Sequence, residues 1–250
     1  MSLPRLVIVG GSGRVALKFS NAASPHFRID SLVRNEDHFD AISKTGATPK
    51  LLSLEDASVD ELAADFKGAD AVLFAAGAGG KGGKERTVRV DQEGAIKVFD
   101  ALESLPAPKP YLVLVGALDT RDLSKPAPAH YTDEDKEASK KAHDAIGAYY
   151  DAKLVADQNL SKRTSFPWTV LRPGHLLDDS ATGRVELGVT HMGGVTRDDV
   201  AATLIALFRL SSEQRDKVRG RALDLIQGSD RDVPVEEAVQ KALASGESSL

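Results

Sequence analysis

Tyr149 and Lys153 stand four residues apart in the stretch "GAYYDAKLVADQNL". On a helix that spacing stacks both side chains on one face. A lysine ammonium beside a phenol favours the phenolate and makes the phenol a better acid near neutral pH. Such a pair can pass a proton to or from a substrate oxygen. Two residues of any amphipathic helix would show the same spacing, so the elements around the pair decide its role.

A second group lies near the start of the chain. "VIVGGSGRVALKF" places Gly10, Gly11 and Gly13 between an apolar run and a helical pattern, with Ser12, Arg14 and Val15 completing the loop and the first turn. A strand that enters a helix through glycines brings backbone N–H groups and the helix dipole against a phosphate. Gly10 suits the tight turn and Gly13 the close approach of a pyrophosphate. Ala16 occupies the place where a third glycine often packs the helix on the strand. A plain tight turn is the bland alternative.

Two related motifs fail on inspection. Ser12 is not a nucleophile-elbow serine, because Arg14 stands where glycine is required. The loop 77–84, "GAGGKGGK", resembles a phosphate loop, but neither Gly-Lys pair is followed by Ser or Thr.

The second strand's end then bears on the cofactor. An acidic residue about 20 positions after the glycines would bond the ribose hydroxyls of NAD. This chain has Val33-Arg34-Asn35 there. Arg34 would instead pair with a 2′-phosphate, with Arg14 adding a second charge, which favours NADP(H) over NAD(H).

The elements that must position these groups follow from apolar patterning. "RLVIV" (5–9), "FRIDSLVR" (27–34), "PKLLSL" (49–54), "DAVLFAA" (70–76) and "PYLVLVGA" (110–117) read as strands alternating with helical segments. A long helix fits 85–104. That order calls for a parallel, doubly wound α/β sheet with helices on both faces. In the second half, Thr132 with Asp135 and Thr196 with Asp199 have capping-box spacing. Gly147 should divide the helical stretch before Leu160 into two. "FPWTVLRPG" (166–174) is a sixth strand ended by Pro173, 175–195 a loop with a short hairpin, "RALDLIQG" (221–228) a last strand, and 234–244 a final helix. The tail "ASGESSL" should fray. One domain is expected over residues 1–250, with 175–195 and parts of 210–250 on the substrate side.

Composition limits the partners. The 250 residues carry a net charge of -5 and are 42% hydrophobic, which argues against nucleic acid as the main partner. No run approaches the roughly 18 apolar residues of a membrane span. The absence of cysteine removes disulfides and thiolate chemistry. A cytoplasmic protein with a small-molecule substrate is expected; monomer and homodimer both stay open.

Taken in order, "VGGSGRVA", "SLVRN", "LFAAGAGGKGG", "VDQEGAIKVFDAL", "YYDAKLVADQNL", "WTVLRPGHL" and "TRDDVA" resemble the atypical short-chain dehydrogenase/reductases, in particular the NmrA-like NAD(P)-binding subgroup. The resemblance covers about residues 5–228. It implies a Rossmann-type domain that binds NADP(H) at the C-terminal strand edges. It also implies that Gly10, Gly11, Ser12, Gly13, Arg14 and Val15 form the pyrophosphate loop and that Arg34 contacts the 2′-phosphate. Ser53 and Leu54 match the adenine side, and Ala75, Ala76 and Gly77 the loop under the ribose. Val115 and Gly116 line the end of the fifth strand, and Pro173, Gly174 and His175 flank the nicotinamide. Tyr149 and Lys153 match the YxxxK dyad, in which tyrosine exchanges the substrate proton while lysine bonds the nicotinamide ribose and lowers the tyrosine pKa.

The family's substrate-orienting serine at the end of the fifth strand has no counterpart at Gly116 or Ala117. Such a donor can contribute roughly 2.7–4 kcal/mol of transition-state stabilisation. Thr120 is the nearest substitute. An NADP(H)-dependent oxidoreductase with Tyr149 as proton donor is therefore the first expectation, and an NADP(H)-binding sensor with little turnover the alternative.

The remaining polar residues divide on sequence position. Asp91 faces either the cleft or a surface ion pair. His143 is placed on a solvated helix face, whereas His175 and His191 are placed to meet a ligand. Tyr150 is a packing residue and Trp168 a core residue. Lys136, Lys140 and Lys141 alternate with acids on a solvated face, and no metal-ligand spacing appears.

Overall fold

The computed structural model describes residues 2–79 and 82–250. Gly80 and Lys81, within the glycine-rich loop 77–84, lie outside the described residues. The first half runs β1 (Arg5–Val9), α1 (Arg14–Ala23), β2 (Arg28–Val33), α2 (Phe39–Ser43), β3 (Thr48–Leu51), α3 (Val59–Phe66) and β4 (Ala71–Phe74). Next come α4 (Gly83–Thr87), a π-helical turn (Val88–Glu93), α5 (Gly94–Ser104), β5 (Tyr111–Val115), α6 (Asp133–Leu160) and β6 (Trp168–Pro173). The remainder is β7 (His175–Leu177), β8 (Arg184–Gly188), β9 (Gly194–Thr196), α7 (Arg197–Phe208), α8 (Ser212–Val218), β10 (Arg221–Ile226), β11 (Val233–Pro234) and α9 (Val235–Ser245).

Nine strands form one sheet in the order β3-β2-β1-β4-β5-β6-β10-β8-β11. It is parallel from β3 to β10, with β8 and β11 antiparallel at one edge. The continuous apolar runs of β1 and β4 suit strands covered on both faces. One face packs α1, α7 and α9 around Phe19, Phe27, Tyr111 and Phe208, whose rings meet edge to face on Phe208. The other packs α3, α5 and α6 around Phe66, Phe74, Phe99 and Phe166. Trp168 is buried in this second core, as its neighbours in sequence imply. The chain leaves β1 toward β2 and β3 on one side and returns to β4 on the other. The resulting crevice beyond the C-terminal ends of β1 and β4 is where α/β sheets take ligands.

Several local expectations change once side chains find partners. The 85–104 helix is α4, the π-helical turn and α5 in succession. Thr132 and Thr196 accept from the backbone N–H of Asp135 and Asp199, as their spacing implies. The α6 stretch is two helices joined across a kink at Ile146 (φ -135°, ψ 37°), one residue from Gly147, as expected. The 175–195 segment holds no hairpin. β7 and β9 pair in parallel in a small separate sheet, and β8 joins the main sheet beside β10. Lys136, Lys140 and Lys141 pair with Asp133, Asp144 and Glu137 on the outer face of α6. No helix among the described residues is long and apolar enough to cross a membrane.

The tail does not fray. Ser249 N–H donates to Ala222 O at 2.9 Å, and Ala222 N–H donates to Ser248 Oγ at 3.1 Å. Ser249 Oγ donates to Asp224 Oδ1 at 2.8 Å, while the Arg172 guanidinium donates to the Ser249 carbonyl. The tail thus covers a buried polar pair that the sheet cannot leave bare. Burial pushes the Asp224 carboxyl up to about 7, against the pull of Arg172 and of the Ser249 hydroxyl.

An acid raised above its unfolded value holds its proton longer in the native state. Stability from this group is therefore greatest at low pH and is lost as pH rises through about 7. We expect the melting temperature of Asp224→Asn, relative to wild type, to rise between about pH 5 and about pH 8. A difference constant across that window would refute the assignment.

Candidate active site

The loop after β1 is shaped by contacts that exclude side chains. Gly10 has φ +86°, and a Cβ there would lie 2.5 Å from Ala76 Cα. A Cβ on Gly11 would lie 1.7 Å from Ser31 Oγ. Gly13 N–H donates to Gly10 O at 3.1 Å, which closes the turn as α1 begins. Gly13 provides no side-chain cap and the first turn of α1 carries no acid. The leading N–H groups of a ten-residue helix thus have no anionic or hydroxyl side-chain partner from their own cap. A glycine-lined, uncapped helix N-terminus at the switch point fits a dinucleotide pyrophosphate.

Ser12 and Val15 are half-buried in this loop, Val15 against the core. Arg14 is exposed and pairs with Asp178 at 2.8 Å, and Arg197 holds the same carboxylate at 2.7 Å. Arg34, just past β2, bonds Glu55 at 3.0 Å. Ser53 Oγ donates to Asp56 at 2.6 Å, and Leu54 packs over Gly94. Ala75 N–H donates to Val9 O at 2.9 Å, which carries the chain out of β4 past Ala76 to Gly77.

Asp91 connects that loop to the catalytic candidates. It lies in the π-helical turn and is 1% exposed. One carboxylate oxygen accepts from Ala78 N–H at 2.9 Å, and the other lies 3.2 Å from Lys153 Nζ. A Cβ on Gly77 would come within 3.1 Å of that oxygen. π-turns recur where a side chain must be redirected at a functional site, and this one turns Asp91 inward. The surface ion pair weighed for Asp91 from sequence is overturned by this burial.

Lys153 is 3% exposed and also donates to Val115 O at 3.3 Å. Burial opposes its charge, yet Tyr149, Asp91 and Asp157 outweigh burial and hold it above its ordinary value. Lys153 Nζ lies 5.5 Å from the Tyr149 ring centre and 5.8 Å from that of Phe74.

The expected lowering of the Tyr149 pKa is not found. Burial pushes the phenol up, Lys153 pulls it down, and Asp91 and Asp157 add to the rise, leaving it above its ordinary value. Burial is the largest of these influences, and the lysine's pull is the next. Tyr149 therefore stays a neutral phenol through the physiological range and is a weaker acid than the sequence implied.

At the end of β5 the missing serine has a packing cause. A Cβ on Gly116 would stand 2.8 Å from Val170 Cγ1 and 3.1 Å from Arg172 Cγ. Thr120 does not replace it, because its buried hydroxyl donates to Ala117 O at 2.8 Å. Past Pro173, a Cβ on Gly174 would lie 2.2 Å from Gly193 O, and His175 is exposed.

Beyond the dyad lies a polar cluster that sequence reasoning did not assemble. Asp119 adopts φ +62°, rare for a non-glycine residue, and its side chain is wholly buried. It accepts from Ser139 Oγ at 2.5 Å and Arg121 Nε at 2.7 Å, with His143 Nε2 at 3.0 Å. His143 is thus buried and stacked on Tyr150 at 4.0 Å, not on a solvated face. Burial raises the Tyr150 phenol to about 12, so it packs without titrating. His191 Nδ1 lies 2.6 Å from Asp135, the carboxylate that also caps α6. The spacing Asp135–Ser139–His143 marks one helix face. Only the long loop after β5, which brings in Asp119, could reveal what that face meets. Among the described residues no group of three or more His, Asp or Glu side chains could hold a metal.

The chain matches, over residues 10–210, the family described as NAD(P)H-binding. It belongs to that family. Its mostly parallel sheet with helices on both faces is a Rossmann-type fold. It is similar in structure to a putative NAD-dependent epimerase/dehydratase from Bacillus halodurans, with a TM-score of 0.75 and 26% identity over 95% and 99% of the two chains. It is 39% identical over 252 residues to the UPF0659 protein C216.03 of Schizosaccharomyces pombe, covering 97% of this chain and 96% of that one. It is 32% identical over 240 residues to the uncharacterized sugar epimerase YhfK of Bacillus subtilis, covering 95% and 99%. In structure it is similar to the oxidoreductase ylbE of Lactococcus lactis, with a TM-score of 0.77 and 24% identity over 97% and 98% of the two chains. This member of the NAD(P)H-binding family presents its glycine loop at the sheet's C-terminal edge.

Breaking the buried pair should be costly. Asp91→Ala leaves the Lys153 ammonium buried without its carboxylate, which typically destabilises by about 3–5 kcal/mol. Urea unfolding should show that loss, and Asp91→Ala with Lys153→Met should recover part of it. A loss below about 1 kcal/mol, in the range of exposed pairs, would contradict the geometry.

Proposed function

We propose that this protein is an NADP(H)-dependent oxidoreductase in which Tyr149 protonates the oxygen of a small organic acceptor. The observation that carries this is the convergence of two features at one sheet edge: the Cβ-intolerant, uncapped loop of Gly10–Gly13 and the buried Lys153 held by Asp91. The loop residues would hold the pyrophosphate. Arg34 would meet the 2′-phosphate, Ser53 and Leu54 would line the adenine, and Ala75–Gly77 would run under the ribose. Lys153 would bond the nicotinamide ribose, between Val115–Gly116 and Pro173–His175. The bound nicotinamide supplies hydride exchange at its C4.

The residues of this chain account for the remaining steps. Lys153 stays charged and fixed, so it orients hydroxyls without itself shuttling protons. Tyr149 is kept neutral and so carries the proton that the acceptor oxygen would take. With no hydroxyl at Gly116 or Ala117, little stabilises charge localised on one carbonyl oxygen. A conjugated or quinone-like acceptor, which spreads that charge, fits better than a simple ketone. The same gap supports a second reading, an NmrA-like dinucleotide sensor with little turnover.

Fluorescence titration with NADPH and NADH, followed by an NADPH-oxidation screen of quinones, enones and aldehydes, tests both readings. Absence of dinucleotide binding would reject both, and binding without turnover on any acceptor would favour the sensor. Arg34→Asp should weaken NADPH at least about tenfold more than NADH, as expected for loss of a charge-assisted contact. Tyr149→Phe should abolish turnover while leaving the NADPH dissociation constant within about twofold. Equal weakening of both nucleotides, or an active phenylalanine variant, would each overturn the corresponding role.

A further inference from the structure

Glu55 follows the expected adenine-side pair Ser53-Leu54 but has no assigned part in the family resemblance. Its side chain is 16% exposed, and one carboxylate oxygen serves two arginines. Arg34 Nη1 lies 3.0 Å away and Arg86 Nε, from α4, 3.3 Å away. Lys97 anchors the backbone below, donating to Leu54 O at 3.0 Å and Glu55 O at 3.3 Å. Arg34, by contrast, is 55% exposed. The carboxylate is the more buried member of this pair and the guanidinium the more exposed.

We propose that Glu55 sets the balance between the two dinucleotides. Its carboxylate competes with a 2′-phosphate for Arg34 and, with NADH, accepts the hydrogen bond of the adenosine ribose 2′-hydroxyl. This rests on the placement of that ribose at Arg34 proposed above.

The chemistry follows from donors and charges. An arginine offers only donors, so a site with Arg34 alone has nothing for a ribose hydroxyl to donate to. The strand end Val33-Arg34-Asn35 carries no acid, and Glu55 supplies one from the neighbouring strand's exit. A phosphate monoester brings a charge of about -1.5 to -2 at neutral pH. It meets Arg34 and Arg86 with one charge cancelled by Glu55. When the phosphate takes Arg34, Arg86 still neutralises Glu55, so the exchange leaves no buried bare carboxylate. The protein thus accepts NADPH without excluding NADH.

The test uses the full chain and fluorescence titration with NADPH and with NADH. Glu55→Gln should tighten NADPH about fivefold, the upper range for a partly exposed ion pair, and weaken NADH severalfold. Glu55→Ser should shift the ratio the same way and covers the case in which Glu55→Gln does not fold. Arg34→Ala serves as the reference. If it lowers NADPH affinity relative to NADH while both Glu55 variants leave the ratio unchanged, Glu55 has no such role and the ribose site stands. If Arg34→Ala also leaves the ratio unchanged, the ribose site itself is misplaced.

Discussion

A charged lysine buried at the end of a parallel sheet must have its charge answered from within the protein, and the region around Lys153 is organised by that need. Asp91 supplies the countercharge, and it can do so only because the helix after β4 widens into a π-turn that points its side chain inward. The same carboxylate then takes the N–H of Ala78, which fixes the path of the chain leaving β4. One buried pair therefore ties together the helix of the Tyr-Lys dyad, the loop beneath the expected ribose and the strand that closes the switch point. The consequence for chemistry is equally direct. Burial of the neighbouring phenol outweighs the pull of Lys153, and Asp91 and Asp157 add to the rise.

The glycine loop obeys a constraint of a different kind, close backbone approach. Gly10 touches the chain at Ala76 and Gly11 touches Ser31, so β1 exits between its two neighbours with no room for a side chain. That leaves the start of α1 bare, and its dipole and N–H groups face the crevice. Gly116 and Gly174 extend the same principle to the other side of the crevice, packed against Val170 and against the Gly193 carbonyl. The absent serine is thus a consequence of how tightly β5 and β6 approach. A side chain there would require Val170 and Arg172 to shift.

Two polar assemblies lie beside β5, β6 and β10. Asp119, held in a left-handed conformation, gathers Arg121, Ser139 and His143. Arg172 bridges Asp157 on α6 and the C-terminal tail, whose Ser249 reaches Asp224. Arg172 leaves one oxygen of the buried Asp157 carboxylate without a hydrogen-bond partner, whereas both oxygens of Asp119 are engaged. The two assemblies tie α6, the loop after β5 and the C-terminal tail to the apolar core of β6 and β10.

Local patterning by itself determined the sheet, because buried strands, glycine turns and capping residues act over a few neighbouring positions. The runs of β1, β4 and β5, the caps Thr132 and Thr196, and the four-residue spacing of Tyr149 and Lys153 are all legible without a fold. The sequence also showed the lack of a hydroxyl at Gly116. Tertiary structure alone decided which charges meet. Asp91 and Lys153 are far apart in the chain, as are Glu55 and Arg86, Asp119 and His143, and Ser249 and Arg172. Burial and countercharge depend on what packs against a side chain, and a phenol's acidity depends on the sum of those neighbours. For that reason the position of the dyad was readable from residues 147–160, whereas the direction of its pKa shift was not.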